Sequence, residues 1–123
     1  MIEVVDSDGK KTYYMYPNNQ GPGRLSQVAK SDRPDGPFEV INWKKGTTHT
    51  EGVMGFDPAA FVDDDGQVYG YWGFIRSFAV ELDPNTMYTA KPGATPIEDM
   101  IGSCEADDGN IFRFFEAPSL RKI

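Results

Sequence analysis

The 123-residue sequence has one cysteine and one histidine. Cys104 alone closes no intramolecular disulfide, and His49 alone supplies no conventional structural zinc site. Disulfide and zinc chemistry are poor organising principles for this chain, and its compartment stays open. No apolar run approaches the roughly 20 residues of a membrane-spanning helix, and no charged-then-apolar leader opens the sequence. A soluble chain without a membrane partner is expected. Basic residues are also short, with 12 Lys and Arg against 19 Asp and Glu, a net charge of -7 and a pI near 4.6. Binding to a phosphate backbone draws its affinity from clustered Lys and Arg, so no nucleic-acid partner is expected. There is no Gly-rich phosphate loop, and the acidic clusters lack the Asp positions and terminal Glu of a calcium loop. No cofactor and no metal site are expected.

Turn residues and aromatics are plentiful: 13 Gly, 9 Pro, 8 Phe, 6 Tyr and 2 Trp, in short apolar stretches broken by turns. This pattern favours strands. No segment carries apolar residues at helical spacing over three turns; the nearest, Thr95 to Cys104, is short and follows two prolines. An all-β chain with at most one helical turn there is predicted. The predicted strands are Ile2 to Val5, Thr12 to Tyr16, Ser26 to Ser31, Phe38 to Asn42, Ala60 to Val62, Val68 to Phe74 and Ser77 to Leu82. After a Pro/Gly-rich connection from Lys91 to Pro96, a last apolar segment, Ile111 to Phe115, leads to Leu120 to Ile123.

VVDSDGKKTYYMY and FVDDDGQVYGYW both read as an apolar pair, an acidic turn ending in Asp-Gly, and an aromatic-rich strand. A period near about 50 residues with three or four strands per unit suits the blades of a β-propeller. Two unrelated hairpins of a β-sandwich fit the same pattern. A propeller needs about four to eight four-stranded blades, and the predicted strands fill little more than two. The expected organisation is a single fragment: one blade over 1–50, the next over 51–90, and a connection with the first strand of a further blade over 91–123. Open blades leave unpaired edges, which favour association between copies.

Carboxylates are the remaining candidates for chemistry. Glycoside hydrolysis uses two of them, about 6.5–9.5 Å apart in inverting enzymes and about 5–5.5 Å apart in retaining ones. Glu116 follows Phe112, Phe114 and Phe115 and precedes Ala117-Pro118, where an apolar wall would raise its pKa as a general acid requires. Asp57 stands between Phe56 and Pro58 at the start of a strand. Each also reads as an ordinary residue, Glu116 as an exposed strand end and Asp57 as a turn acceptor. Trp72 and Phe74, with Ile75 and Arg76 in the following turn, are candidates to line a sugar site, although Trp72 and Tyr71 read more readily as blade core.

The segment FDPAAFVDDDGQVYGYWG, followed by SFAVELDPNTM and FFEAPSLRKI, resembles the central part of family 43 glycoside hydrolases. The upstream YYMYPN and VAKSDRPDGPFEVI resemble the preceding blade. The resemblance covers nearly the whole chain and implies a partial five-bladed propeller acting on arabinose- or xylose-containing glycans by inversion. It implies that Glu116 is the general acid, with Ala117 where the family usually has glycine. Asp57, in its Asp-Pro pair, would tune the acid's pKa. Phe56, Trp72, Phe74 and Arg76 are expected to contact carbohydrate. No counterpart of the family's general base, an aspartate of the first blade, is found. The expectation is therefore a truncated glycosidase with weak or no activity alone; a non-catalytic carbohydrate-binding or self-assembling fragment is the alternative.

Overall fold

The computed structural model describes residues 1–18, 25–103, 114 and 118–123. Among these, every regular element is a strand. β1 (Ile2–Val5), β2 (Lys11–Met15), β3 (Ala29–Ser31) and β4 (Glu39–Val40) form one antiparallel sheet in chain order. β5 (Ala59–Val62), β6 (Val68–Phe74), β7 (Arg76–Leu82) and β8 (Ile97–Glu98) form a second of the same order.

The repeated acidic turns explain why the first two strands of each sheet pair. In the first turn the Asp6 amide donates to the Lys10 carbonyl and the Gly9 amide to the Asp6 carbonyl; Asp63, Gln67 and Gly66 repeat both bonds. Gly9 and Gly66 have φ near +80° (80° and 84°), which glycine adopts without steric cost. The Asp6 carboxylate also accepts from the Asp8 and Lys10 amides, so the acidic residues organise the turn itself.

The core lies between the two sheets. Met54, Val68, Trp72, Val80, Leu82 and Met87 are buried there, and Ile2, Val4, Tyr14 and Tyr16 of the first sheet pack against them. Alternation along β6 sends Val68, Gly70 and Trp72 to this face and Tyr69 and Tyr71 to the other. A Cβ at Gly70 would meet Met54 Sδ at 2.7 Å and Leu82 Cδ1 at 3.1 Å, so the glycine leaves room for these two core side chains to pack over β6.

Two strands, β3 and β4, are shorter than the sequence predicts. β3 begins at Ala29 because the Val28 amide donates instead to Asn42 Oδ1, at 2.8 Å. Asn42, completely buried, also donates to the carbonyls of Ser26 (2.8 Å) and Glu51 (2.7 Å), replacing ladder bonds with side-chain bonds. The segment that allowed one helical turn instead contributes β8, pairing Phe78 with Glu98 and Ala79 with Ile97. Leu120 to Ile123 form no strand. Of the predicted segment Ile111 to Phe115, only Phe114 is described; it is buried and bridges to Ser103 in parallel.

Candidate functional site

β5 and β6 are antiparallel, so the start of β5 and the end of β6 lie at one end of the second sheet. The Gly73 amide donates to the Phe56 carbonyl at 2.8 Å, tying the residue before Asp57 to β6. Asp57 has φ 53°, a left-handed conformation uncommon outside glycine, and its amide donates to Asn18 Oδ1 at 3.1 Å. The chain then enters β5 through Pro58.

Phe56 and Phe74 meet edge to face, with ring centroids 5.6 Å apart at 73°. Phe74 is 48% exposed, so this aromatic pair borders the surface beside Asp57. β6 turns into β7 through Ile75 alone, at φ 69°, with Phe74 paired to Arg76. Gly73 makes that turn possible: its φ is 143° and a Cβ there would lie 1.9 Å from the Arg76 carbonyl oxygen.

Arg76 is held by two acids. It bonds Asp99 in a fork, Nη2 to Oδ2 at 2.7 Å and Nε to Oδ1 at 3.2 Å, and Nη2 also reaches Glu98 Oε2 at 2.8 Å. The Arg76 hydrogen bond holds the Asp99 carboxyl below its usual range, and Asp99 in turn raises the guanidinium. Trp72 lies in the inter-sheet core at 8% exposure, its ring stacked 5.5 Å from that of Phe78. Phe56, Asp57, Phe74 and Arg76 therefore share one end of the sheet, while Trp72 packs inside. Glu116 lies outside the described residues, as does Cys104.

At this same end a cleft of about 220 Å³ is lined by Met1, Ile2 and Tyr16 of the first sheet, Pro58, Ala59 and Ala60 of the second, and Ser119 and Leu120. Further along, Lys122 Nζ reaches Asp63 Oδ1 at 3.1 Å and Asp64 Oδ2 at 2.6 Å. Residues 119–122 thus follow β5 in the same sense. β1 also contacts β5, so three chain segments converge beside Asp57, as the inner strands of successive propeller blades do. A second, apolar cleft of about 360 Å³ is also lined by the 118–120 segment, together with Trp72, Phe78, Met100, Ile101 and Phe114. Among the described residues no group of three or more His, Cys, Asp or Glu is placed to hold a metal ion.

The family model of glycosyl hydrolases family 43 matches residues 5–122. The chain belongs to that family. Its two sheets are blades of the family's five-bladed propeller. Over 119 residues, 94% of this chain and 35% of the relative, it is 32% identical to a "Beta-xylosidase" of Xylanibacter ruminicola. Over 77 residues, 58% of this chain, it is 40% identical to "Xylosidase/arabinosidase 43A" of Humicola insolens and to "Arabinoxylan arabinofuranohydrolase" of Bacillus subtilis (strain 168). It covers 20% and 15% of those relatives. The chain thus spans about a third or less of the curated relatives it matches. No solved structure matches it.

Asn18 was not singled out by the sequence reading. The signal available is its position in YYMYPN, directly after an aromatic strand, where a polar residue leaving one sheet can reach the next.

Proposed function

We propose that this chain carries part of the active site of an inverting glycosidase that cuts arabinosyl or xylosyl linkages, with Glu116 as general acid and Asp57 as the carboxylate that tunes it. The convergence of three chain segments at the cleft beside Pro58 carries the reading. Pro58, directly after Asp57 in the sequence, and Ser119, three residues after Glu116 in the sequence, line one cleft. In this mechanism Glu116 protonates the leaving-group oxygen as the anomeric C–O bond breaks. Water attacks from the opposite face and gives its proton to a general base. The Asp57 charge holds the Glu116 proton affinity up by like-charge repulsion.

The relatives' names favour xylose and arabinose as the sugars. Phe56 and Phe74 would offer an apolar face to the pyranose or furanose ring. Arg76, with its fork on Asp99, would reach a sugar hydroxyl only with its outer N–H groups, and Trp72 would support the platform from within the core. Residues 1–50 are read as one blade and 51–90 as the body of the next, to which β8 adds its fourth strand, with the rest of 91–123 leading to a further one.

No residue of the chain is assigned as base. General-base assistance is worth about 10² to 10⁴ in rate, so the 123-residue chain alone is expected to turn over slowly or not at all. Its edge strands β4 and β8 are only two residues each, which blunts edge pairing. Association between copies would instead use exposed faces: Val5 and Met15 on one sheet, Ile97 beside Met100 and Ile101 on the other.

The deciding experiment is nitrophenol release from aryl arabinofuranoside and aryl xyloside by the purified chain, with Glu116→Gln alongside. Turnover lost in the variant supports the acid assignment and a base supplied by a partner copy. Equal turnover in both overturns it. Sugar binding with no turnover in either would favour the non-catalytic carbohydrate-binding reading, for which the exposed Phe74, packed on the half-buried Phe56, is the supporting observation.

A further inference from the structure

We propose that Asn18 is the positioning residue for Asp57, locking the peptide that joins Phe56 to Asp57 against rotation. Both polar groups of this one peptide are engaged, and from opposite sides. Its carbonyl, on Phe56, accepts from the Gly73 amide of β6 at 2.8 Å. Its N–H, on Asp57, donates to the Asn18 side chain at 3.1 Å. Asn18 follows β2 by three residues and belongs to the first sheet's segment, so the second bond crosses between the two blades.

The lock matters because of the conformation it holds. Asp57 has φ 53°, where an L residue with a Cβ is disfavoured. Half a turn of the preceding peptide changes ψ of Phe56 and φ of Asp57 together, and is the local route out of that region. Such a turn reverses the directions of the carbonyl and the N–H, so it breaks both hydrogen bonds at once. Gly73 opposes it from one side only. The bond it makes is to the carbonyl, and the amide would gain freedom to seek water. With Asn18 in place, the Asp57 backbone keeps one conformation, and its side chain leaves that backbone in one direction.

The catalytic meaning of this lock rests on Asp57 being the tuning carboxylate, but the lock itself is measured without turnover. Amide hydrogen exchange followed by NMR on the purified chain reads it directly. In Asn18→Leu, the Asp57 and Gly73 amides are expected to exchange at least tenfold faster together, while core amides such as Val80 and Leu82 keep their protection. Asn18→Asp retains an acceptor oxygen at the same place and is expected to restore protection at both sites. Unchanged exchange at Asp57 in Asn18→Leu overturns the proposal. So does acceleration at Asp57 with Gly73 unaffected, since the two bonds then do not open as one. If Asn18→Leu unfolds, loss of Asp57 protection in folded Asn18→Asp overturns it equally. Failure of the glycosidase assay with a normal exchange result would leave the lock standing and remove only its catalytic role.

Discussion

The Tyr16 hydroxyl donates to the Met87 carbonyl at 3.0 Å, across the interface between the two sheets. Met87 is itself buried, with φ 70°. The bond therefore fixes the loop after β7 against the strand end of the neighbouring blade. It also explains how a phenol is accommodated beside an otherwise apolar core: its one donor has an acceptor there.

Tyr16→Phe is expected to lower stability by about 1–2 kcal/mol, the range for removing a buried bond and leaving a carbonyl unsatisfied. A pH signature accompanies it. Burial, aided by the neighbouring Tyr14, raises the Tyr16 phenol well above its ordinary value of 10.0. The folded state thus favours the neutral phenol. That stability is fully present below about pH 10, where the unfolded phenol is also neutral, and is lost as the pH rises above it. Urea midpoints measured from about pH 8 to about pH 11 should fall more steeply for the native chain than for Tyr16→Phe.

Asn42 makes three hydrogen bonds at zero exposure, two as donor and one as acceptor. Asn42→Leu leaves a backbone amide and two carbonyls without that partner, at a cost of about 3 kcal/mol. Asn42→Asp keeps the acceptor for Val28 but removes both donors and buries a carboxyl, so it should destabilise as well. Chemical denaturation of both variants checks this; a loss below about 1 kcal/mol in Asn42→Leu would mean that water substitutes for the amide.

Two glycines with positive φ should respond differently to alanine. Gly66 has open space where a Cβ would go. Gly66→Ala therefore costs only the left-handed conformation, about 1–2 kcal/mol. At Gly73 the Cβ would overlap the Arg76 carbonyl oxygen, so the β6–β7 turn must rearrange. Gly73→Ala should cost at least twice as much as Gly66→Ala in melting experiments and should weaken the Phe56–Phe74 contact. Equal costs would mean that the turn relaxes freely.

These contrasts mark what was readable from the sequence. Asp63-Asp64-Asp65-Gly66 and Asp6-Ser7-Asp8-Gly9 announce their hairpins because their chemistry is local: a glycine at positive φ and carboxylates bonding their own turn. β8 carries no such signal, being two exposed residues after a proline whose pairing is set by β7. Neither did the sequence decide which face of β6 is core, because Trp72 and Tyr71 are both aromatic and alternate; only the packing against Ile2 and Val4 distinguishes them. Asn42 and Asn18 escaped for a related reason. A polar residue near a strand end looks solvated unless the backbone groups it reaches, many positions away, are known. The site end was legible through Phe56-Asp57-Pro58 and Phe74, whereas the engagement of Arg76 by Glu98 and Asp99 joins residues more than 20 positions apart.

Phe74 offers the test that separates a binding surface from a packing residue. It is half exposed yet touches Phe56 edge to face, a contact worth about 0.5–1.5 kcal/mol beyond burial. Phe74→Ala should therefore cost little more than that in stability. If the pair is a sugar platform, the same substitution should weaken binding of xylo-oligosaccharide by roughly tenfold, about 1.4 kcal/mol, read by titration calorimetry. Phe74→Tyr, which preserves the ring, should bind nearly as well as the native chain. Unchanged binding in Phe74→Ala would move the sugar away from this end of the blade, and so away from Asp57.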